Sequence, residues 1–352
     1  MVPIRFLFLC IGFFIRFAVG DNECPIVTSI EDRRHNKSSL RLVQYNVEWL
    51  FIDYYAGMDC PGKGCTWHTL SDAEKHMSYV TNVTRALNPD IIHFCEVEGC
   101  DELNMVKDML NGNELTYASY LKRGTDTSTG QNVGMLTKID PIVSLYRSEE
   151  RISYPIYGTQ CVNTSASGTT GVSKHFITEF NINLSSNTSI NVAMIGAHLL
   201  AIPTDPIRCV QREAQAQVLQ NVVSSYILKD YEIILLGDMN DYDGDVSDIN
   251  LNKPISRVLD ILKGNDGQKK GSYKLTNVAI NVPQVDRYSD WWDSDNNCNT
   301  NSQQDLSMID HVLVTPGIQQ RITNAFIYHG YKEYCGKWDS DHWPVVIDIS
   351  TV

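Results

Sequence analysis

The sequence predicts an α+β fold, and three observations carry that reading. Short apolar runs of strand length recur along the 352 residues, each closing on a polar side chain. Two longer segments repeat apolar residues at helical spacing. No internal repeat and no linker interrupts the chain, so residues 38–352 read as one domain behind a polar lead-in at 21–37.

Leu40 to Tyr45 alternates apolar and polar residues, the period of a strand, and runs into Asn46-Val47-Glu48. After a Gly- and Cys-rich loop at 57–65, Ser71 and Glu74 form a capping box. Ala73, Met77, Val80, Thr84 and Leu87 then mark one helix face, which stops at Asn88-Pro89. Asp90 to Cys95 is a short apolar run ending at Glu96, as in a buried strand that presents a carboxylate. Val133 to Leu136 predicts a strand, followed by a polar stretch to about Ser173. His175 to Asn181 and Ile190 to Ala197 predict a hairpin whose second arm ends at His198. Asp205-Pro206 opens a helix with Val210, Ala214, Val218 and Val222 on one face. Glu232 to Leu236 is a buried strand ending at Gly237-Asp238-Met239-Asn240. Ser307 to Val314 is a strand carrying Asp310, and Trp343 to Ile347 follows Asp341-His342 as the last strand.

The first 20 residues stand apart. Arg5, the apolar stretch Phe6 to Ile15 and the small residues Ala18-Val19-Gly20 have the layout of a signal peptide. That stretch is shorter than the ~20 apolar residues a membrane span needs, and no later stretch is long enough. A secreted chain, or one in an endomembrane lumen of lysosomal kind, is expected. Sequons at Asn36, Asn82, Asn163, Asn183 and Asn187 agree with that compartment. So do ten cysteines, an odd number of them beyond Cys10. Cys60/Cys65 and Cys95/Cys100 are spaced for local bridges, and Cys161, Cys209, Cys298 and Cys335 for longer ones. The absence of a C-x-x-C pair argues against a thiolate zinc site.

Lys and Arg number 29 against 42 acids, a net charge of −13. Such a chain does not hold nucleic acid by non-specific electrostatics. That excludes a scaffold for DNA but not a catalyst, which needs only transient contacts.

The strand ends carry the chemistry. Asn46, Glu96, His198, Asp238 with Asn240, Asp310, and Asp341 with His342 each sit at or near the end of an apolar strand. Ends on one sheet edge converge, so these groups can share a cleft. Carboxylates and amides without thiolates suit Mg²⁺, with Ca²⁺ or Mn²⁺ as alternatives. Histidines beside carboxylates suit proton transfer near neutral pH. Together they describe hydrolysis of a phosphate ester.

The motifs Tyr45-Asn46-Val47-Glu48, Cys95-Glu96-Val97, Gly196-Ala197-His198, Gly237-Asp238-Met239-Asn240, Ile309-Asp310-His311 and Ser340-Asp341-His342-Trp343-Pro344 follow one another in a distinctive order. In that order they resemble the endonuclease/exonuclease/phosphatase superfamily, over roughly residues 40 to 350. The superfamily includes pancreatic-type deoxyribonuclease, abasic-site endonucleases, neutral sphingomyelinases and inositol polyphosphate 5-phosphatases. Arg212-Glu213-Ala214-Gln215-Ala216 and the run from Ile234 to Tyr242 look most like secreted extracellular nucleases. The resemblance implies a four-layer α/β/β/α sandwich of two mostly antiparallel sheets flanked by helices.

It also implies roles. Glu96 would be the principal metal ligand, with Asn46 beside it on metal or phosphate and Asp341 a further ligand. Asp238 and Asn240 would position the attacking water and the phosphate. Asp310 would orient His342 and keep it basic, and His198 would be a second acid/base or phosphate contact. Glu48 could reach the metal through water. Cys95 and Gly196 stand where many members have Gln and Asn, and no acidic partner for His198 can be placed.

Other conspicuous residues have plainer readings. Glu98 reads as a surface carboxylate, His93 as a satisfied core histidine, and His311 as structural because it alternates away from Asp310. Asp241, Asp243 and Asp245 resemble the start of a calcium loop but lack its closing Glu, so a solvated turn is expected. Trp291-Trp292 could stack on a base, touch a membrane or pack under the Asn-rich loop. Arg33, Arg34 and Lys37, or Lys269, Lys270 and Lys274, could form a basic patch, with a solvated face as the default. The reading is a secreted metal-dependent nuclease acting on DNA, or on RNA as well, with nucleic acid as substrate rather than stable partner. The alternative is a lipid phosphodiesterase of the neutral-sphingomyelinase type. An inositol phosphatase would carry a Cys-Asp-Arg run where Ile309-Asp310-His311 stands. A non-enzymatic binding protein is disfavoured because every expected site position is filled.

Overall fold

The computed structural model describes residues 23–52, 69–112, 116–162, 165–184, 189–265, 273–293, 299, 302–331 and 340–352. In chain order the first half holds β1 (Ser39–Leu50), α1 (Leu70–Leu87), β2 (Ile91–Val97), α2 (Cys100–Asn111), β3 (Ala118–Leu121), β4 (Asn132–Thr137), β5 (Val143–Tyr146), β6 (Ile152–Tyr154), β7 (Gly168–Thr170), β8 (Lys174–Asn183) and β9 (Ser189–His198). Then come α3 (Pro206–Ile227), β10 (Glu232–Asp238), α4 (Val258–Lys263), β11 (Thr276–Asn277), β12 (Asp290–Trp291), β13 (Leu306–Ser307), β14 (Asp310–Val314), α5 (Pro316–Gln319), β15 (Ile322–Ile327) and β16 (Val345–Ser350).

Twelve of the strands form two six-stranded sheets, ordered β15-β16-β1-β2-β4-β3 and β11-β14-β10-β9-β8-β5. Each sheet has one parallel pair, β1/β2 and β9/β10, and is otherwise antiparallel. A parallel pair needs a crossover, and α1 and α3 supply them. Side-chain alternation then sorts the apolar residues into three layers. Leu40 and Leu42 of β1, Phe176 of β8 and Ile234 and Leu236 of β10 lie between the sheets. Val43, Tyr45 and Val47 pack with α1 and α2, and Ile233 and Leu235 with α3 and α4. The order is helix, sheet, sheet, helix, as the resemblance implies. Among the described residues no helix is long and apolar enough to cross a membrane.

Three expectations change. Helix α1 begins before Ser71: Thr69 is its N-cap, its hydroxyl accepting from the Asp72 amide at 3.1 Å. The capping pair is therefore Thr69/Asp72, the Thr69 hydroxyl also donating to the Asp72 carboxylate at 2.8 Å. The strand from Ser307 to Val314 is two, β13 pairing with β12 and β14 with β10, with Met308 and Ile309 between them. The bridges among the described residues are Cys24–Cys100 and Cys161–Cys209, so the Cys95/Cys100 pairing does not form. Cys95 points between the sheets as a buried free thiol, whereas Cys100 opens α2 on the outer side. Cys60, Cys65, Cys298 and Cys335 lie outside the described residues, as do the first 20 residues and Lys269 and Lys270.

Candidate active site

Alternation along the strands brings the polar residues to one place. In β1 the positions after Leu40 and Leu42 on the inner face are Gln44 and Asn46. In β10 the position after Ile234 and Leu236 is Asp238. Antiparallel β14 carries Val314, Val312 and then Asp310, directly opposite Asp238. Asp238 is also level with His198 on β9. Glu96 breaks the rule, since Cys95 before it already faces inward. The register slips between Cys95 and Val97, and Glu96 adopts φ +65°. A matching slip in β1 sets Glu48 and Trp49 at φ +47° and +56°. The Trp49 amide donates to Glu96 Oε2 at 3.2 Å, locking the two irregularities together.

Asn46 Nδ2 is the hub. It lies 3.0 Å from Asp238 Oδ2, 3.3 Å from Glu96 Oε1 and 3.3 Å from His342 Nε2. His342 Nδ1 sits 2.7 Å from Asp310 Oδ2. Asp310 accepts from the Ser289 hydroxyl at 2.9 Å and from Gln44 Nε2 at 3.0 Å. The Gln44 carbonyl pairs in turn with His93 Nδ1, while His93 Nε2 is buried with no partner among the described residues. Asn240 donates its backbone N–H to Asp238 Oδ1 at 2.9 Å, turning the chain through φ +48°. His198 Nε2 is 3.5 Å from Asp238 and 3.9 Å from Glu96. These are the carboxylates the sequence did not assign to it, while its Nδ1 is buried without a partner among the described residues. Asp341 Oδ1 lies 3.8 Å from His342 Nε2. All the sequence-predicted site residues thus fall in one cluster.

Electrostatics separate the two histidines. Burial opposes a charge on His342, but Asp310, Asp341 and Asp290 together hold its imidazole well above the usual range. Burial, with Lys174 and His342 nearby, holds His198 far below it and hence neutral. Burial and the neighbouring Asp310 push Asp238 up to about 8.

One member is new. Asp290 places Oδ1 3.6 Å from His342 Nε2 and accepts the Ser307 hydroxyl at 2.8 Å on Oδ2. Burial pushes its carboxyl up to about 6. Neither it nor Ser289 ends a long apolar run, so strand periodicity gave no signal for them. The cleft that Asp290 enters encloses about 350 Å³ and is lined by Glu96, His198, Asp238, Asp290, Asp341 and His342, with Trp292 also on its wall. A larger hollow of about 610 Å³ lies at the other end of β1, where Arg41 and Lys138 are paired with Asp348 and Asp90.

The donor set fits a hard divalent cation. Asp238, Asp310 and His342 form one group of ligand atoms mutually within 4.8 Å, and Asp290, Asp341 and His342 another; their carboxylates, rather than the charged His342 ring, are the donors such an ion would take. The third group, Cys161, Cys209 and Glu213, has no thiolate to offer because its cysteines are bonded to each other.

Two further expectations are corrected here. The Asp241–Asp245 run is solvated only at its end, where Asp245 is exposed, whereas Asp241 and Asp243 are buried. Asp241 pairs with Arg212 at 3.1 Å, both fully buried, and Lys263 Nζ lies 2.6 Å from Asp243 and 2.7 Å from Asp245. An ammonium takes the place a calcium ion would need. Arg33 and Arg34 form no solvated face either, being turned back onto Asp140 and Asp32. His311 is structural as expected, bonded to Asn277 and the Asp241 carbonyl.

Residues 43–342 match the Endonuclease/Exonuclease/phosphatase family, so the chain belongs to that family. Solved structures agree on the fold. The catalytic domain of Xenopus laevis APE2 superposes with a TM-score of 0.55 at 13% identity, covering 88% of this chain and 92% of that one. The 3'-5' exonuclease NExo from Neisseria meningitidis gives 0.55 at 14% identity, over 88% and 100%. An endonuclease/exonuclease/phosphatase from Beutenbergia cavernae gives 0.50 at 14%, over 89% and 72%. No curated protein matches the chain.

Proposed function

We propose that the chain is a secreted, divalent-metal-dependent phosphodiesterase that hydrolyses DNA, and RNA as a second substrate, by direct attack of water. The observation that carries the reading is the Asp310–His342 pair at 2.7 Å, with His342 Nε2 turned to Asn46 in a cleft shared with Glu96 and Asp238. Glu96, Asn46 and Asp341 would hold Mg²⁺, with Ca²⁺ or Mn²⁺ as alternatives; when bound, the ion neutralises charge on the phosphoryl oxygens. His342, kept protonated by its carboxylates, offers a second positive charge to those oxygens. Asp238, fixed by the Asn240 amide, takes the proton of the attacking water. The Asn46 amide donates to the phosphate, and neutral His198 contacts it from the other strand. Two disulfides, and exposed sequon asparagines at 36, 82 and 183, support an oxidising, secretory compartment.

The test is parallel hydrolysis of plasmid DNA, RNA and sphingomyelin vesicles by the purified chain, with Mg²⁺ and with chelator. Chelator-sensitive cleavage of nucleic acid is expected. A lipid phosphodiesterase is the second reading, favoured by the exposed Trp292 on the cleft wall, and vesicle turnover with intact nucleic acid would establish it instead.

A further inference from the structure

The wall of the cleft beside the catalytic cluster is built at a cost that the fold does not need. Trp291 is buried in the core between the sheets, while its neighbour Trp292 is 66% exposed and lines the cleft. Short pairing of β12 with β13 and the bond from the Trp292 amide to the Asp305 carbonyl at 2.9 Å fix that ring's backbone. Ile202 and Pro203 line the same cleft. Ile202 is a β-branched residue held at φ +69° with its side chain 46% exposed, so it is both strained and unburied. The strain is sustained by Arg212, whose buried guanidinium donates to the Ile202 carbonyl at 2.9 Å and the Pro203 carbonyl at 2.8 Å. Arg212 compensates the buried Asp241, but the strained, exposed Ile202 brings the fold nothing in itself. Together they hold a rigid apolar surface next to the reacting groups.

We propose that Trp292 and the Ile202–Pro203 corner form a subsite for an unstacked nucleobase beside the scissile phosphate. The inference rests on the nuclease reading and names its substrate as single-stranded or locally opened. A planar ring suits an indole on a rigid wall, and every base has such a face. Gln304, which also lines the cleft, supplies an amide for the base edge. The charge balance points the same way: a chain of net charge −13 is poorly suited to gripping a duplex through its phosphates, so stacking supplies affinity that electrostatics do not. Bases within a duplex do not offer their faces.

The experiment compares kcat/KM on a single-stranded oligonucleotide with that on an oligomer of equal length made of base-free tetrahydrofuran residues. The parent chain should prefer the strand with bases. In Trp292→Ala that preference should fall by about tenfold, in the range expected for loss of one stacked base, and Trp292→Phe should restore most of it. Ile202→Asn, which tolerates the left-handed backbone, should weaken the preference without lowering the thermal midpoint. An unchanged preference in Trp292→Ala overturns the subsite, as does a defect seen only in turnover of sphingomyelin vesicles, which would make Trp292 a membrane contact. If the parent chain cleaves no nucleic acid at all, the nuclease reading fails and the subsite with it. Cleavage by the parent with no effect of the variants sinks the subsite alone.

Discussion

At the scale of single residues, the site divides into groups that strand periodicity announces and groups that only the tertiary fold delivers. Removing Glu96 or His342 as alanine should lower kcat on any phosphodiester by roughly 10²–10⁴ with an unchanged circular dichroism spectrum; turnover like the parent's would remove their assigned roles. Asp290 makes a different prediction. Its carboxyl titrates at about 6 in the folded chain against 3.8 for a free side chain, chiefly through burial. The folded state therefore keeps the proton to higher pH than the unfolded state, so stability declines as pH rises from about 4 to about 6 and stays lower above that. Asp290→Asn abolishes this loss, and in chelator its unfolding free energy should exceed the parent's by about 2–3 kcal/mol at pH 8 and differ little at pH 4. Equal differences at both pH values would mean that packing, not ionisation, is responsible. Asn46, Asp238, Asp310 and His198 were legible because each continues a period-two inner face beyond an apolar run. Asp290 and Ser289 were not, because β12 is two residues long and has no period to read.

At the scale of elements, the strands and helices that the sequence announces are those with a cap or a long apolar face. Helix α3 is the clear case, opened by Asp205, whose carboxylate accepts from the Ile207 amide at 2.7 Å, with Pro206 behind it. Helix α2 has no capping side chain at Gly99, and α4 is only six residues long, so neither leaves a start signal. The charged residues inside α3 escape pattern reading for another reason. Arg212 is fully buried on a helix face that periodicity would assign to small apolar residues, and its partner Asp241 lies in what reads as a turn. Arg212→Leu leaves Asp241 buried with only Ser256 and backbone for company. It should destabilise the chain by about 3–5 kcal/mol. It should also raise hydrogen exchange at residues 199–205, since the carbonyls of Leu200, Ala201, Ile202 and Pro203 lose the guanidinium. A destabilisation without faster exchange in that loop would separate the ion pair from the cleft wall.

At the scale of the whole molecule, two mixed sheets deliver their strand ends to one edge, and the charge distribution decides how a polyanion could be held there. The net charge is −13. Of the cations the sequence offered as a basic patch, Arg33 and Arg34 are engaged by Asp140 and Asp32 and cannot track a phosphate backbone without giving up those pairs. A binding mode built on many phosphate contacts releases a counterion at each, with log affinity falling about 0.7 per contact against log salt for a single strand. Contacts confined to the catalytic cluster, with stacking at Trp292 beside them, involve only two or three phosphates. The plot of log(1/KM) against log salt for a single-stranded substrate should therefore have a slope no steeper than about −2. Mg²⁺ should be held constant while monovalent salt is varied, so that the occupancy of the metal site does not move with it. A slope of about −5 or steeper would require an extended cationic track across the surface. That result would place substrate affinity in phosphate contacts outside the cleft rather than in the cleft itself.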